Sequence, residues 1–200
     1  MERIVVKFGG SSVAEAAQFR KVRDIVLADP RRQVVVVSAP GKRRADEAKL
    51  TDLLYLCADM AATGTSFAEP FALIRDRFVG IATELGLSAA IGDEVTAFGD
   101  ALKDGCTRDF VASRGEFFSA RLMAQYLDAD FVDPADFITI LSNGNVDPRS
   151  YAVLGERLAD TSKRYVIAGF YGKDSRGEVK TFSRGGSDIS GSIAARAANA

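Results

Sequence analysis

Four consecutive valines, Val34 to Val37, sit inside the apolar run Gln33 to Ser38. β-Branched side chains favour extended backbone, and successive residues of a strand face opposite sides of its sheet. With apolar groups pointing both ways, this strand has to be covered on both faces, as in parallel sheets flanked by helices. Shorter runs of the same kind occur at Ile4 to Phe8, Asp130 to Asp133, Phe137 to Leu141 and Tyr165 to Gly169, and a further strand is expected over Glu178 to Phe182. Between the first two runs, Phe19, Val22 and Val26 share one helical face, and Asp29-Pro30 closes the segment. Strand, helix and strand in that order imply a right-handed crossover, and the alternation predicts a doubly wound α/β sandwich.

The middle of the chain, Leu50 to Arg121, reads as mostly helical. Leu53, Cys57 and Met60 share one helical face, and further on so do Phe118, Leu122 and Tyr126. Gly172 to Gly177 reads as a turn, and Ile189 to Ala200 as a helix with no capping glycine or closing strand after it. The domain is therefore expected to be incomplete at its C-terminus.

Composition narrows the chemistry. Two hundred residues, 47% of them hydrophobic, suffice for one sizeable core. A formal net charge of -1 offers no bulk basic surface for nucleic acid or an anionic membrane. The first apolar run is too short for a signal peptide or a membrane span, and two cysteines are too few for a disulfide framework. A cytoplasmic protein is expected. With no histidine, Ser-His-Asp and Cys-His sites and histidine metal ligation are excluded, and two distant cysteines form no thiolate zinc site. No protein-held metal site is expected, and the chemistry falls to Lys, Arg, Asp, Glu, hydroxyls and backbone N–H groups.

Four stretches are able to carry it. The first is Lys7-Phe8-Gly9-Gly10-Ser11-Ser12, at the end of the first strand. Paired glycines let backbone N–H groups approach a ligand closely. Ser12 and Glu15 have capping-box spacing, which starts a helix here with its positive end toward the loop. Such a loop binds phosphate, and Lys7 adds a point charge. It is not a Walker motif, since the lysine precedes the glycines, and the plainer alternative is a strand-to-helix turn with a solvated lysine. The second stretch, Val37 to Arg44, follows the valine strand on the same side of the sheet, where ligands bind in doubly wound folds. Lys42, Arg43 and Arg44 there either attract a nucleotide or form a solvated charged face. Ser38 and Thr51 are hydroxyls near strand and helix ends, where capping is the ordinary role.

The third stretch, Ser113-Arg114-Gly115-Glu116, is read as preceding an amphipathic helix. Glu116 either complements the helix dipole or holds the ammonium of a small substrate. The fourth, Thr181 to Asp188, repeats the strand, glycine loop and helix, with Arg184 suited to bidentate carboxylate capture. The alternative there is a tight turn with Asp188 as N-cap. Two glycine loops, each with a fixed charge, favour a joint phosphate and carboxylate site of the kind phosphoryl transfer requires.

Taken together, KFGGSS, VVVSAPGK, KLTDLL, SRGEFFSARLMAQYL and AGFYGKDSRGEVKTFSRGGSD resemble, in order, the aspartate kinases of the amino-acid kinase family. The resemblance spans essentially the whole chain, and the last block is the most specific. Acetylglutamate and uridylate kinases share the lysine–glycine start but lack the SRGE and SRGGSD pair. The resemblance implies a three-layer αβα sandwich with a mainly parallel sheet. It also implies ATP-dependent phosphorylation of the L-aspartate side chain to 4-phospho-L-aspartate, the first step toward lysine, threonine and methionine.

By the same resemblance Lys7 neutralises charge on the moving phosphoryl group and Asp188 orients Lys7. Gly9, Gly10, Ser11, Ser38, Gly185 and Gly186 lie along the ATP phosphates. Thr51, Glu116, Phe170, Arg184 and Ser187 line the aspartate pocket, with Glu116 on the ammonium and Arg184 on a carboxylate. Magnesium arrives with ATP. Residues 1–200 correspond to the N-terminal part of the catalytic domain, without the adenine- and ribose-binding segments or the regulatory ACT domains, and a homo-oligomer is expected. Two other readings stand beside this one: a family member with a different acceptor, and a truncated module that binds aspartate or anions without turnover.

Overall fold

The computed structural model describes residues 2–183 and 185–200. Four strands, β1 (Ile4–Phe8), β2 (Arg32–Val37), β3 (Asp130–Val132) and β4 (Tyr165–Ala168), form one sheet in the order β1-β2-β4-β3. Every neighbouring pair in it is parallel. The valine run does what its composition demands. Val35 and Val37, with Val166 and Ala168, enter one hydrophobic core. Val34 and Val36, with Tyr165 and Ile167, enter a second core on the opposite face.

The first core is roofed by α1 (Ala16–Leu27), α2 (Leu50–Ala62), α3 (Ala68–Glu84), α4 (Ala90–Lys103) and α5 (Arg108–Leu127). Phe19, Leu54, Phe78, Phe98 and Phe118 come from these helices in turn. The second core is closed by Leu154 of α7 (Arg149–Arg157) and by Ile193 and Ala194 of α8 (Gly186–Ala198). Helices, sheet and helices make the three layers expected. A short antiparallel hairpin, β5 (Tyr171–Lys173) with β6 (Val179–Thr181), stands apart from the main sheet.

Several local expectations are corrected. The segment expected as a strand from Phe137 begins instead as the last residue of a one-turn helix, α6 (Pro134–Phe137). Asp133 caps that helix through its side chain, with Pro134 at the first helical position, a combination that starts a helix whatever follows. Beyond it Thr139 and Ile140 make only isolated bridges. Gly172 and Lys173 belong to β5, so the turn is confined to the residues after them. No capping box forms at Ser12: a 3-10 turn over Gly10–Val13 comes first, and α1 starts after Glu15 without a side-chain cap.

Candidate active site

Parallel pairing brings the carboxyl ends of β1, β2 and β4 side by side, with Phe8 opposite Val37 and Val37 opposite Ala168. Backbone bonds then carry the register into the loops. Ser38 N–H donates to the Phe8 carbonyl at 3.1 Å, Gly169 N–H to Val37 at 2.9 Å, and Gly41 N–H to Gly10 at 2.9 Å. The loops after β1 and β2 touch backbone to backbone, since a Cβ on Gly41 would fall 2.7 Å from the Gly10 carbonyl carbon. Only glycine fits there. Gly9 and Gly10 open the 3-10 turn, where N–H groups have no acceptor within the turn itself, and Ser11 is exposed.

Lys7 projects from β1 into this junction. Its Nζ lies 2.8 Å from Asp188 Oδ1, with the lysine side chain 27% and the aspartate 74% exposed. An ion pair so open to water adds little stability; its consequence is positional. Helix α8 runs against the lysine stem, since a Cβ on Gly191 would sit 3.5 Å from Lys7 Cβ. Asp188 lies in the first turn of α8, behind Gly185, the left-handed N-cap at φ 60°. It is not the cap itself. Gly186 and Ser187 are buried, and Ser187 packs directly on Gly169.

Phe170 has φ 79°, a region that costs a bulky residue about 1–3 kcal/mol. It stays there because Ser190 Oγ accepts from its N–H at 3.1 Å and its carbonyl accepts from Phe182 N–H at 2.9 Å. Lys7, Gly9, Gly10, Ser38, Phe170, Gly186, Ser187 and Asp188 thus stand around one end of the sheet. The expected role of Arg184 falls outside the described residues.

Glu116 lies in the middle of α5, not in a first helical turn, so it cannot be a dipole partner. Gly115 beside it lets the helix press on the loop after β2: a Cβ there would come within 2.9 Å of Ala39 Cβ and 3.3 Å of the Leu50 and Leu54 methyl groups. Glu116 is buried and its Oε2 has no hydrogen-bond partner. Burial pushes its carboxyl up to about 8, against a smaller pull from the backbone of Ala39 and of Glu116 itself. Thr51, half-buried in the first turn of α2, follows the Leu50 that packs on the same glycine. The neighbouring Arg114 is buried too, over the rings of Phe117 at 4.2 Å and Phe110 at 4.4 Å.

The basic run is drawn into its own loop. Lys42 Nζ donates to the Ala45 carbonyl, Arg43 pairs with Glu47, and Arg44 with Asp46. Two residues that tie distant segments to these loops had no local signal. Arg77 of α3 reaches Gly41 and Glu47, and Asp109 of α5 accepts from the backbone and hydroxyl of Thr181 at the end of β6. In the sequence each is an ordinary charge on a helix, and only the fold brings its partner near.

The Amino acid kinase family is matched over residues 2–200. The chain is 41% identical over 206 residues to aspartokinase 3 of Bacillus subtilis, covering 96% of this chain and 45% of that protein. It is 30% identical over 221 residues to the chloroplastic aspartokinase 1 of Arabidopsis thaliana, covering 96% and 38%. Among solved structures it superposes on the aspartate kinase of Clostridium acetobutylicum with a TM-score of 0.96 at 40% identity, covering all of this chain and 46% of that one. Aspartokinase III of E. coli, in complex with aspartate and ADP, gives a TM-score of 0.77 at 27% identity, covering all of this chain and 47% of that one. The chain spans about half, or less, of the length of the relatives it matches.

Proposed function

Because the chain belongs to the amino acid kinase family, we propose that the protein transfers the γ-phosphoryl group of ATP to the side-chain carboxylate of L-aspartate. The products are 4-phospho-L-aspartate and ADP. One observation carries the reading: Lys7, held 2.8 Å from Asp188, stands where the loops after β1, β2 and β4 converge. The E. coli relative solved with aspartate and ADP supports the same pair of ligands.

The acceptor is already an anion at neutral pH, so a carboxylate oxygen attacks phosphorus without losing a proton. A site without histidine is adequate for that. The work is positioning and charge stabilisation, the usual demands of phosphoryl transfer. Lys7 neutralises the oxygens of the moving phosphoryl group, and Asp188 aims the ammonium. Gly9, Gly10, Ser11, Ser38, Gly185 and Gly186 follow the phosphates, the glycine loops through their N–H groups and α8 through its positive end. Glu116 receives the substrate ammonium, the partner its buried Oε2 lacks. Thr51, Phe170, Ser187 and Arg184 complete the aspartate pocket.

Magnesium would come as part of the nucleotide substrate and would offset the negative charge of its phosphates. Among the described residues no group of three or more His, Cys, Asp or Glu side chains is placed to hold a metal. Residues 1–200 form the N-terminal part of the catalytic domain of a longer cytoplasmic homo-oligomer, with the adenine-binding segments and ACT domains elsewhere in it. Among the described residues no helix is long and apolar enough to cross a membrane. The test is hydroxylamine trapping with the full-length protein. Aspartyl hydroxamate should form only when ATP, magnesium and L-aspartate are all present; product with another acceptor alone would reassign the substrate.

A further inference from the structure

We infer that Arg77 is a positioning residue for phosphoryl transfer, acting from α3 to lock together the two loops that face the ATP phosphates. The inference rests on the proposed function for the identity of those loops. Its geometry is independent of it. Arg77 Nη1 donates to the carbonyl of Gly41 at 2.9 Å and of Ala14 at 3.3 Å. Nη2 lies 2.5 Å from Glu47 Oε1, and Glu47 in turn accepts from Arg43 N–H at 2.8 Å. One guanidinium therefore joins the end of the loop after β1, the loop after β2, and the acid that folds that second loop back on itself.

Gly41 transmits the constraint. Its carbonyl is held by Arg77 while its N–H donates to Gly10, the residue that opens the first glycine turn. The guanidinium is thus one residue away from the proposed phosphate cradle without touching it. The Arg77 side chain is only 9% exposed, and Glu47 15%. Burial lowers the Arg77 pKa, an effect that Glu47 opposes, while Arg43 first and Arg77 after it hold Glu47 down to about 2. Both members stay charged. A planar fork able to serve three acceptors in different directions is what arginine offers and lysine does not. A buried cation is costly to desolvate unless it is paired, and Arg77 is paired with Glu47.

The consequence is specific. Without the lock the two loops keep their sequence but lose their mutual register, and misplacement of about 1 Å can lower a rate roughly a hundredfold. Arg77→Met retains the stem and removes the fork. In the full-length protein it should lower kcat and raise the KM for ATP about tenfold each, with the KM for aspartate within about twofold. Calorimetry with inorganic tripolyphosphate should show the same loss of affinity, and Arg77→Lys should fall between the two. A purely structural role would shrink the folded fraction, which lowers kcat and leaves both KM values and the tripolyphosphate affinity unchanged. That result, or no change at all, overturns the inference. If Arg77→Met does not fold, Glu47→Gln takes its place; a rise in ATP KM supports the lock, and an unchanged ATP KM overturns it. A protein that binds tripolyphosphate but leaves aspartate unphosphorylated refutes the acceptor, while the tripolyphosphate affinities of the variants still decide the role of Arg77.

Discussion

Burial pushes the Glu116 carboxyl from 4.5 up to about 8, so near pH 7 most of the ligand-free protein carries it protonated. An ammonium placed on it favours the ionised form, so the aspartate binding proposed above is expected to be coupled to loss of a proton. Tyr55 of α2 and Tyr171 of β5 lie within range of its charge, and both are raised above the ordinary tyrosine value chiefly by burial. Calorimetry at pH 7 in buffers of different ionisation heat should report proton release on aspartate binding, and the KM for aspartate should fall as pH rises toward 8. Stability moves the other way. The folded pKa lies above the unfolded one, so the contribution is complete below 4.5 and is lost as pH rises through 8. The slope is at most about 1.4 kcal/mol per pH unit in that window. Glu116→Gln should remove both the slope and the proton release while raising the KM for aspartate; persistence of the proton release would place the titration elsewhere. On the proposed function Lys7 works at the reacting end, so Lys7→Ala should lower kcat on the order of a hundredfold to a thousandfold, as when one preorganised electrostatic stabiliser is lost. A fall below about tenfold in steady-state turnover would make Lys7 a surface charge.

At the level of elements, α5 is the part whose sequence misleads. It is buried over most of its circumference, including Ser113 through Glu116, so it lacks the single apolar stripe by which a surface helix is recognised. The SRGE stretch therefore reads as a prelude to a helix when it is the middle of one. Its glycine is there for contact. Alanine is normally the better helix former by about 1 kcal/mol, yet a Cβ at Gly115 would meet Ala39 at 2.9 Å, and overpacking costs about 1–3 kcal/mol. Gly115→Ala should consequently lower the denaturant midpoint; a rise in stability would mean that α5 does not bear on the Ala39 loop. The Asp109–Thr181 bond is the companion contact, tying the start of α5 to the hairpin strand that leads into the second glycine loop.

For the whole molecule, the relevant fact is that the chain spans about half the length of its relatives. Residues 1–200 hold the proposed phosphate loops together. Assayed alone, they should bind tripolyphosphate weakly and in a salt-sensitive way, distinguish poorly between ATP and other triphosphates, and form little or no aspartyl hydroxamate. Among the described residues β1 pairs only with β2, and an open strand edge invites association. Light scattering should then give a mass above that of the monomer. A clean monomer with turnover near that of the full-length protein would mean that these residues already contain a complete active site.

What the sequence determined by itself was local or repetitive. Val34 to Val37 can only be a strand covered on both faces, and paired glycines behind a strand can only be a tight loop. From those two facts came the parallel sheet and its cover of helices on both faces, while the proposed end for ligands and the proposed aspartate acceptor came from the glycine loops and from the resemblance that the motifs carry in order. The tertiary structure decided which charges matter. Arg43 and Arg44 look free in the sequence and are paired with Glu47 and Asp46 in the fold. Arg77 looks ordinary and reaches the carbonyl of Gly41, and Glu116 looks like a helix-end acid and lies buried in mid-helix. Phe170 gives no hint of its positive φ, which its contacts with Ser190 and Phe182 impose. The reason is the range of the interactions. Side-chain periodicity and turn chemistry act over a few residues and are written along the chain, whereas desolvation and ion pairing depend on which distant segments packing brings together.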